Sequence, residues 1–318
     1  MRRAAGALPL FPPQQAAAVK ALACELPARS GVPLSRFSLR ELARQVVLWA
    51  VVASISAATV GRWLRQDALR PWRYRSWIFP RDPTFEEKAA RVLDLYEGRW
   101  EGVPLGPKEY VLSADEKTSI QARVRLHPTE PPSAKEPMRV EHEYERGGSL
   151  AYLAAWDVHR AKLFGRCEAK TTIAPFDRLV EQVMSQEPYR SAKRVFLVVD
   201  NGSSHRGRAS VERLQGRWPK LVLVHLPVHA SWLNQIEIYF SIVQRKVLTP
   251  NDVASLAEVE SRLLDFERRY EAVATPFRWT FTRQELAEWL KKLKGLEPPP
   301  EQETAPIEPD VPPLARAA

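Results

Sequence analysis

The sequence predicts an α/β protein in which a mixed-sheet domain follows a small all-α region. Two observations carry this. Short capped helical patterns occupy the first part of the chain. From about Lys108 the pattern changes to strands, first in pairs suited to antiparallel pairing and then alternating with helices around buried apolar runs.

The 318 residues are enough for two domains with a buried core. Cys24 and Cys167 lie far apart and form no CxxC pair, which excludes a disulfide scaffold and a cysteine-rich zinc site. Prolines 9, 12 and 13 interrupt any signal-peptide core. The uncharged stretch from Gln45 to Gly61 is at the short limit for a membrane span, holds Ser54, Ser56 and Thr59, and is flanked by arginines. We therefore expect no membrane association and a cytoplasmic protein. The net charge of +9 is unevenly placed: residues 1–81 carry thirteen lysines and arginines against three acids, while the rest is nearly neutral. A basic end of this kind is the electrostatic footprint of a nucleic-acid-binding region.

In order along the chain, a short helix is expected over about Pro13 to Cys24. SRFSLRELARQVVLWA opens on a capping box, Ser38 with Glu41, and Leu39, Leu42, Val46 and Trp49 form its apolar stripe. After a turn near Ala53-Ser54, a second helix starts from Ser56 as N-cap and runs through AATVGRWLRQ. Two short helices joined by small residues make a helix-turn-helix pattern. In that pattern Ala57, Ala58 and Thr59 face base edges, Arg62 and Arg65 reach phosphates or bases, and Val60 and Trp63 pack inward. Arg70, Arg73 and Arg75 alternate with Trp72, Tyr74 and Trp77. That strip reads equally as a DNA-tracking segment or as a linker whose aromatics pack on a neighbour. TFEEKAARVLDLYEG reads as a linker helix with Thr84 as N-cap and Gly98 as stop.

YVLSADEKTSIQARVRL reads as one or two strands, and SLAYLAAWDVHRAKLFGRCEA as a hairpin turning at Asp157–Arg160. FDRLVEQVMSQ is a helix; RVFLVVD and LVLVHLP are central strands buried on both faces. NQIEIYFSIVQRKVL is a helix with Ile236, Phe240, Val243 and Val247 on one side, and two further helices follow. An RNase H-like sheet is one arrangement that fits this order. Residues 297–318, rich in Pro and Glu, read as a disordered tail.

Three acids stand out against this frame. Asp115 and Asp200 lie in or at the end of buried strands, and Glu237 lies on an amphipathic helix. Buried carboxylates from separate elements are costly unless something pairs with them, and a shared divalent cation would do so. That is the donor set of two-metal phosphoryl transfer. Glu116, next to Asp115, points to the opposite face of its strand, so one of the two enters the site, and alternation does not choose between them. Asn201 and His205 follow Asp200 on a loop, and Asn234 precedes Glu237 by three residues, a spacing that places it with Ser241 and Gln244 on the Glu237 helix face. Trp232 either stacks on a base or plugs the core.

Together, SLRELARQVV with SISAATVGRWLR, DPTFEEKAARVLDLY, SADEKTSIQAR, AWDVHRAKLFGR, LVVDNGSSH, PVHASWLNQIEIYFSIVQRK and PFRWTF resemble the bacterial insertion-sequence transposases of the mariner superfamily, the insertion-sequence six-thirty family. The likeness spans roughly residues 36–282, and its most specific part is VDN-x-S-x-H followed by HASWLNQ-I-E. It implies an RNase H-like DDE endonuclease domain behind a helix-turn-helix region, and it selects Asp115 over Glu116. Asp115, Asp200 and Glu237 would be the catalytic triad and would bind two Mg²⁺ or Mn²⁺ ions. Thirty-six residues separate Asp200 from Glu237, close to the interval such enzymes show. Asn201, His205 and Asn234 would support the triad, and Thr59, Arg62, Arg65, Arg70, Arg73 and Arg75 would contact DNA. The implied activity is cleavage at terminal inverted repeats and joining of 3′ ends into TA target sites, by a homodimer or higher assembly on double-stranded DNA. Relatives often carry two helix-turn-helix units; here one is clear, with a partial trace around Gln14 to Cys24. A catalytically silent DNA-binding regulator and a nuclease without strand transfer are the alternatives. The expected boundaries are 1–81 for the DNA-binding region with its basic linker, 82–107 for the linker helix, 108–296 for the endonuclease domain and 297–318 for the tail.

Overall fold

The protein is described by a computed structural model over residues 11–74 and 79–294. Its chain forms two compact units, Met1–Ile78 and Phe79–Ala318.

The first unit contains three helices, α1 (Pro13–Ala23), α2 (Leu39–Leu48) and α3 (Ala57–Gln66). Ser38 and Glu41 form the full capping box at the start of α2, and the Ser56 hydroxyl accepts from the Thr59 N–H at the start of α3. Val19 and Ala23 of α1 join Leu42, Val46, Val60 and Leu64 in one small core, so the segment around Gln14 to Cys24 packs as a third helix on the α2–α3 pair. A Cβ on Gly61 would stand 3.0 Å from a Leu39 methyl, so this glycine lets α3 lie closely on α2. Trp63 is half-buried and packs edge-on against Phe11 at 5.2 Å.

The second unit begins with α4 (Phe85–Tyr96), followed by a small hairpin of β1 (Arg99–Trp100) and β2 (Val103–Pro104). The five-stranded sheet is built from β3 (Glu109–Val124), β4 (Glu145–Asp157), β5 (Leu163–Glu168), β6 (Arg194–Val199) and β7 (Leu221–His225), in the order β5-β4-β3-β6-β7. β4 is antiparallel to β3 and β5, whereas β6 runs parallel to β3 and β7. Between β6 and β7 lies α6 (Arg208–Arg217), and α5 (Ile173–Met184) precedes β6. After β7 come α7 (Ile236–Lys246), α8 (Leu256–Glu271) and α9 (Arg283–Lys294).

Strand alternation divides the core in two. Val111, Tyr152, Ala154, Trp156, Phe196 and Val198 face one side, where α4, α7, α8 and α9 pack. Leu112, Ala114, Leu153, Ala155, Val195, Leu197 and Val199 face the other, against α5 and Leu214 of α6. The helix expected as a linker is therefore a core element of this unit: Phe85, Ala89, Val92, Leu93 and Leu95 of α4 are all buried. Its cap also differs from expectation. Thr84 holds the N-cap position without capping, and instead its N–H and hydroxyl both donate to Asp82 Oδ1. Asp82 Oδ2 takes Lys88 Nζ at 2.8 Å and the Val228 N–H at 3.0 Å, which ties the start of α4 to the loop before α7.

The segment expected as one or two strands is the single long β3, with register shifts against β4 between Lys117 and Ile120 and between Gln121 and Arg123. Residues 125–144 form an arm between β3 and β4. It is held by a Glu130–Arg139 bridge and by Arg125, whose Nε donates to the Glu141 carbonyl. No helix among the described residues is long and apolar enough to cross a membrane.

Candidate active site

β6 is apolar throughout and ends at Val199, so Asp200 is the first residue to leave the sheet. Because β3 and β6 are parallel and Ser113 pairs with Val198, continuing the register by two residues sets Asp115 beside Asp200. Asp115 pairs across β4 with Ala154, on the α7 face, while Glu116 pairs with Leu153, on the α5 face. The two neighbours thus leave the strand on opposite sides.

Asp115 Oδ1 accepts from the Glu116 N–H at 2.8 Å, and Oδ2 from Asn234 Nδ2 at 3.3 Å. The same Asn234 amide donates to the Ala114 carbonyl at 3.0 Å. Asn234 does not lie on the helix of Glu237, as its spacing predicts. It closes a short 3₁₀ turn, Ser231–Leu233, in extended conformation and is almost fully buried against β3. Glu237 lies in the first turn of α7, which Ile236, Tyr239, Phe240 and Val243 fix to the core. Ser241 and Gln244 are exposed.

The electrostatics show a crowded negative site. Burial, then the charges of Asp200, Glu116 and Glu237, push the Asp115 carboxyl up to about 8. Burial also raises Glu237; Lys117 opposes this and Asp200 adds to it. Asp200 goes the other way. His205 Nε2 at 2.6 Å holds it below the usual range against its partial burial, helped by the Gly202 N–H at 2.7 Å. Asp200 therefore keeps its charge, and Asp115 and Glu237 bear the cost of the repulsion. Among the described residues no three Asp, Glu, His or Cys side chains stand close enough to hold one ion between them. The acids share a field without closing a cage. That field, together with Asn234 Oδ1, buried beside Asp115 with no partner, fits a hydrated divalent cation: it would offset the charge and its waters would donate to the free oxygen.

Asn201 turns away from this centre; its Nδ2 donates to the Leu226 carbonyl and ties the ends of β6 and β7. His205 is fully buried against Phe176 at 4.7 Å between ring centres. Trp232 is half-buried against Phe281 and Trp289, a core role. Asp157 sits at the hairpin turn, accepting from Tyr189 and from the N–H groups of His159 and Arg160. Sequence reasoning missed Ser204, whose hydroxyl bonds both Glu116 and His205; the hydroxyl next to the histidine in NGSSH was the available signal.

In the first unit Arg62, Arg65, Arg70 and Arg73 are exposed. The Thr59 hydroxyl is already engaged, with Ser56 Oγ at 3.0 Å and Arg62 Nη2 at 3.3 Å. Arg75 and Trp77 lie outside the described residues.

Residues 110–260 match the family model described as DDE superfamily endonuclease. No curated protein matches the sequence. Among solved structures, the chain is similar to the Mos1 mariner paired end complex with Mn at 15% identity and a TM-score of 0.57, covering 93% of this chain and 81% of that one. It is similar to the Mos1 paired end complex with Mg at 14% identity and a TM-score of 0.55, covering 93% and 82%. A pre-cleavage Mos1 transpososome gives 14% identity and a TM-score of 0.54, with the same coverage. These likenesses establish the fold: an RNase H-like mixed sheet preceded by a helical region.

Proposed function

We propose that the protein is a DDE transposase that cleaves double-stranded DNA at terminal inverted repeats and joins the freed 3′ ends to a TA target. The observation that carries the reading is the parallel β3–β6 register, which sets Asp115 beside Asp200 within the field of Glu237. The match of residues 110–260 to the DDE endonuclease model supports it, as does the likeness to paired-end transposase–DNA structures.

Asp115, Asp200 and Glu237 would hold two Mg²⁺ or Mn²⁺ ions, which, when bound, supply the positive charge that acidifies an attacking water and offsets charge on the leaving 3′ oxygen. In the cutting step water adds to the phosphorus, the bond to the 3′ oxygen breaks, and the strand leaves as a 3′-OH. In the joining step that hydroxyl attacks a target phosphodiester, the target's bond to its own 3′ oxygen breaks and that strand leaves as a 3′-OH, so one phosphodiester replaces another. The protein's part is positional. Asn234 turns the Asp115 carboxylate by one oxygen, His205 and Gly202 hold Asp200, and the buried face of α7 fixes Glu237. The α2–α3 pair, with Arg62 and Arg65 exposed on α3, would direct the enzyme to its ends, two copies acting on paired ends.

The test is a purified-protein assay with Mg²⁺ on duplexes carrying the inverted repeats that flank the gene. The parent is expected to nick and join. Asp200→Ala and Glu237→Gln should nick at least roughly a thousandfold more slowly, the loss of several kcal/mol of transition-state stabilisation. Wild-type nicking by either variant overturns the assignment, and cutting with no joined product reduces the function to a nuclease.

A further inference from the structure

We infer that Glu116 and Ser204 are positioning residues for Asp200, acting through His205 from the far side of the sheet. The inference rests on the reading of Asp200 as a ligand for a divalent cation. Glu116 is the acid that alternation excludes from the α7 face, yet its carboxylate is not turned to solvent. Glu116 Oε1 accepts from Ser204 Oγ at 3.1 Å, Ser204 Oγ contacts His205 Nδ1 at 2.9 Å, and His205 Nε2 reaches Asp200 Oδ1 at 2.6 Å. Four side chains from β3, the loop after β6 and the end of β6 form one chain of hydrogen bonds. It runs from one face of the sheet to the acid that directly follows β6.

Three features make this a built device. Ser204 and His205 are buried, so water does not compete for their bonds. Arg213, on α6, donates to the Ser204 carbonyl at 2.9 Å and fixes the backbone of the loop. Gly202 clears the path: a Cβ there would stand 2.9 Å from both Asp200 Oδ1 and His205 Cε1, too close for either to stay in place. The His205 and Gly202 bonds both fall on Asp200 Oδ1. The carboxylate thereby has one oxygen engaged from behind, and Oδ2 is the oxygen that would meet a cation. Outer partners of this kind set the direction and basicity of a metal-binding group. Glu116 thus has a role of its own, neither a spare for Asp115 nor a solvated neighbour.

The experiment is Mn²⁺ binding to the full chain, with the metal alone as probe, followed by electron paramagnetic resonance and set beside thermal unfolding of each variant. Ser204→Ala and Glu116→Leu should each weaken Mn²⁺ binding about 10-fold or more. Glu116→Gln keeps an acceptor oxygen for Ser204 and should recover most of the affinity that Glu116→Leu loses. Parental affinity in Ser204→Ala or Glu116→Leu, with Asp200→Ala still weakened, overturns the positioning chain and leaves Asp200 as a ligand. Equal loss in Glu116→Gln and Glu116→Leu also overturns it, because the effect would then be one of charge. Parental affinity in Asp200→Ala, or no binding by the parent, overturns the ligand reading itself.

Discussion

Asp115 and Asp157 lie on neighbouring strands of one sheet, Asp115 opposite Ala154 and Asp157 opposite Leu112. Both are buried, and burial raises the pKa of both. Their surroundings differ in sign. Asp157 accepts three hydrogen bonds, from Tyr189 and two backbone N–H groups, and has Arg160 nearby. Asp115 has one backbone bond and one long amide contact, and the other charges acting on it are negative. Asp157 is an acid whose burial is compensated by the fold, and its product is a fixed turn. Asp115 is an acid whose compensation the fold leaves out, which makes a group ready for a positive partner. Burial alone does not distinguish a carboxylate the fold compensates from one it leaves ready for a cation; the balance of donors against like charges does.

The largest effect should come from breaking the uncompensated side. Asp115→Asn is expected to lower the rate of DNA nicking by roughly a thousandfold while the urea midpoint holds or rises, because a neutral amide ends the repulsion. A clear loss of stability would place Asp115 with Asp157. On the other side, Asp157→Ala leaves a buried tyrosine hydroxyl and two N–H groups without an acceptor. It should cost about 3 kcal/mol of unfolding free energy and spare nicking per folded molecule, as read from urea unfolding and from rates corrected for active fraction.

A third buried aspartate sharpens the contrast and carries the smallest effect. Burial works against the Asp82 charge, but Lys88, Val228 and Thr84 outweigh it and hold the group far below the usual range. A depressed folded value means its contribution is whole above the unfolded pKa of about 4 and drains as the pH falls toward the folded value. Unfolding free energy should therefore slope downward below about pH 4, and Asp82→Asn should flatten that slope. An unchanged slope would mean that Asp82 is not compensated in the folded state.

How far these placements were legible in the sequence depends on how local their causes are. Asp200 could be read directly, because a continuous apolar run followed by Asn-Gly announces a buried strand and its exit. Glu237 could be read from helical periodicity. The choice between Asp115 and Glu116 could not, because it depends on which face of β3 receives α7, a contact between segments some 120 residues apart. Thr84 was the natural cap by local rules, yet its N–H and hydroxyl bond back to Asp82, which the Val228 N–H reaches from 146 residues away. Asn234 kept its contact with the site but lost its expected helix, since its amide bonds the β3 backbone instead. α6 gave little warning because only Ser210 and Leu214 of its ten residues are buried.

The parallel register of β3 and β6 also bears on how this chain tolerates changes of length. One residue added between Val111 and Asp115 would turn Asp115 to the α5 face and bring Ala114 into its place, since side chains alternate along a strand. One residue added within 125–144 would only lengthen an arm, and the entropy of a longer loop grows slowly. The chain therefore carries a stretch of β3 in which counting is absolute and, past the end of that strand, a stretch in which it scarcely matters. Natural variation in length should gather in the arm and stay out of the short run before Asp115.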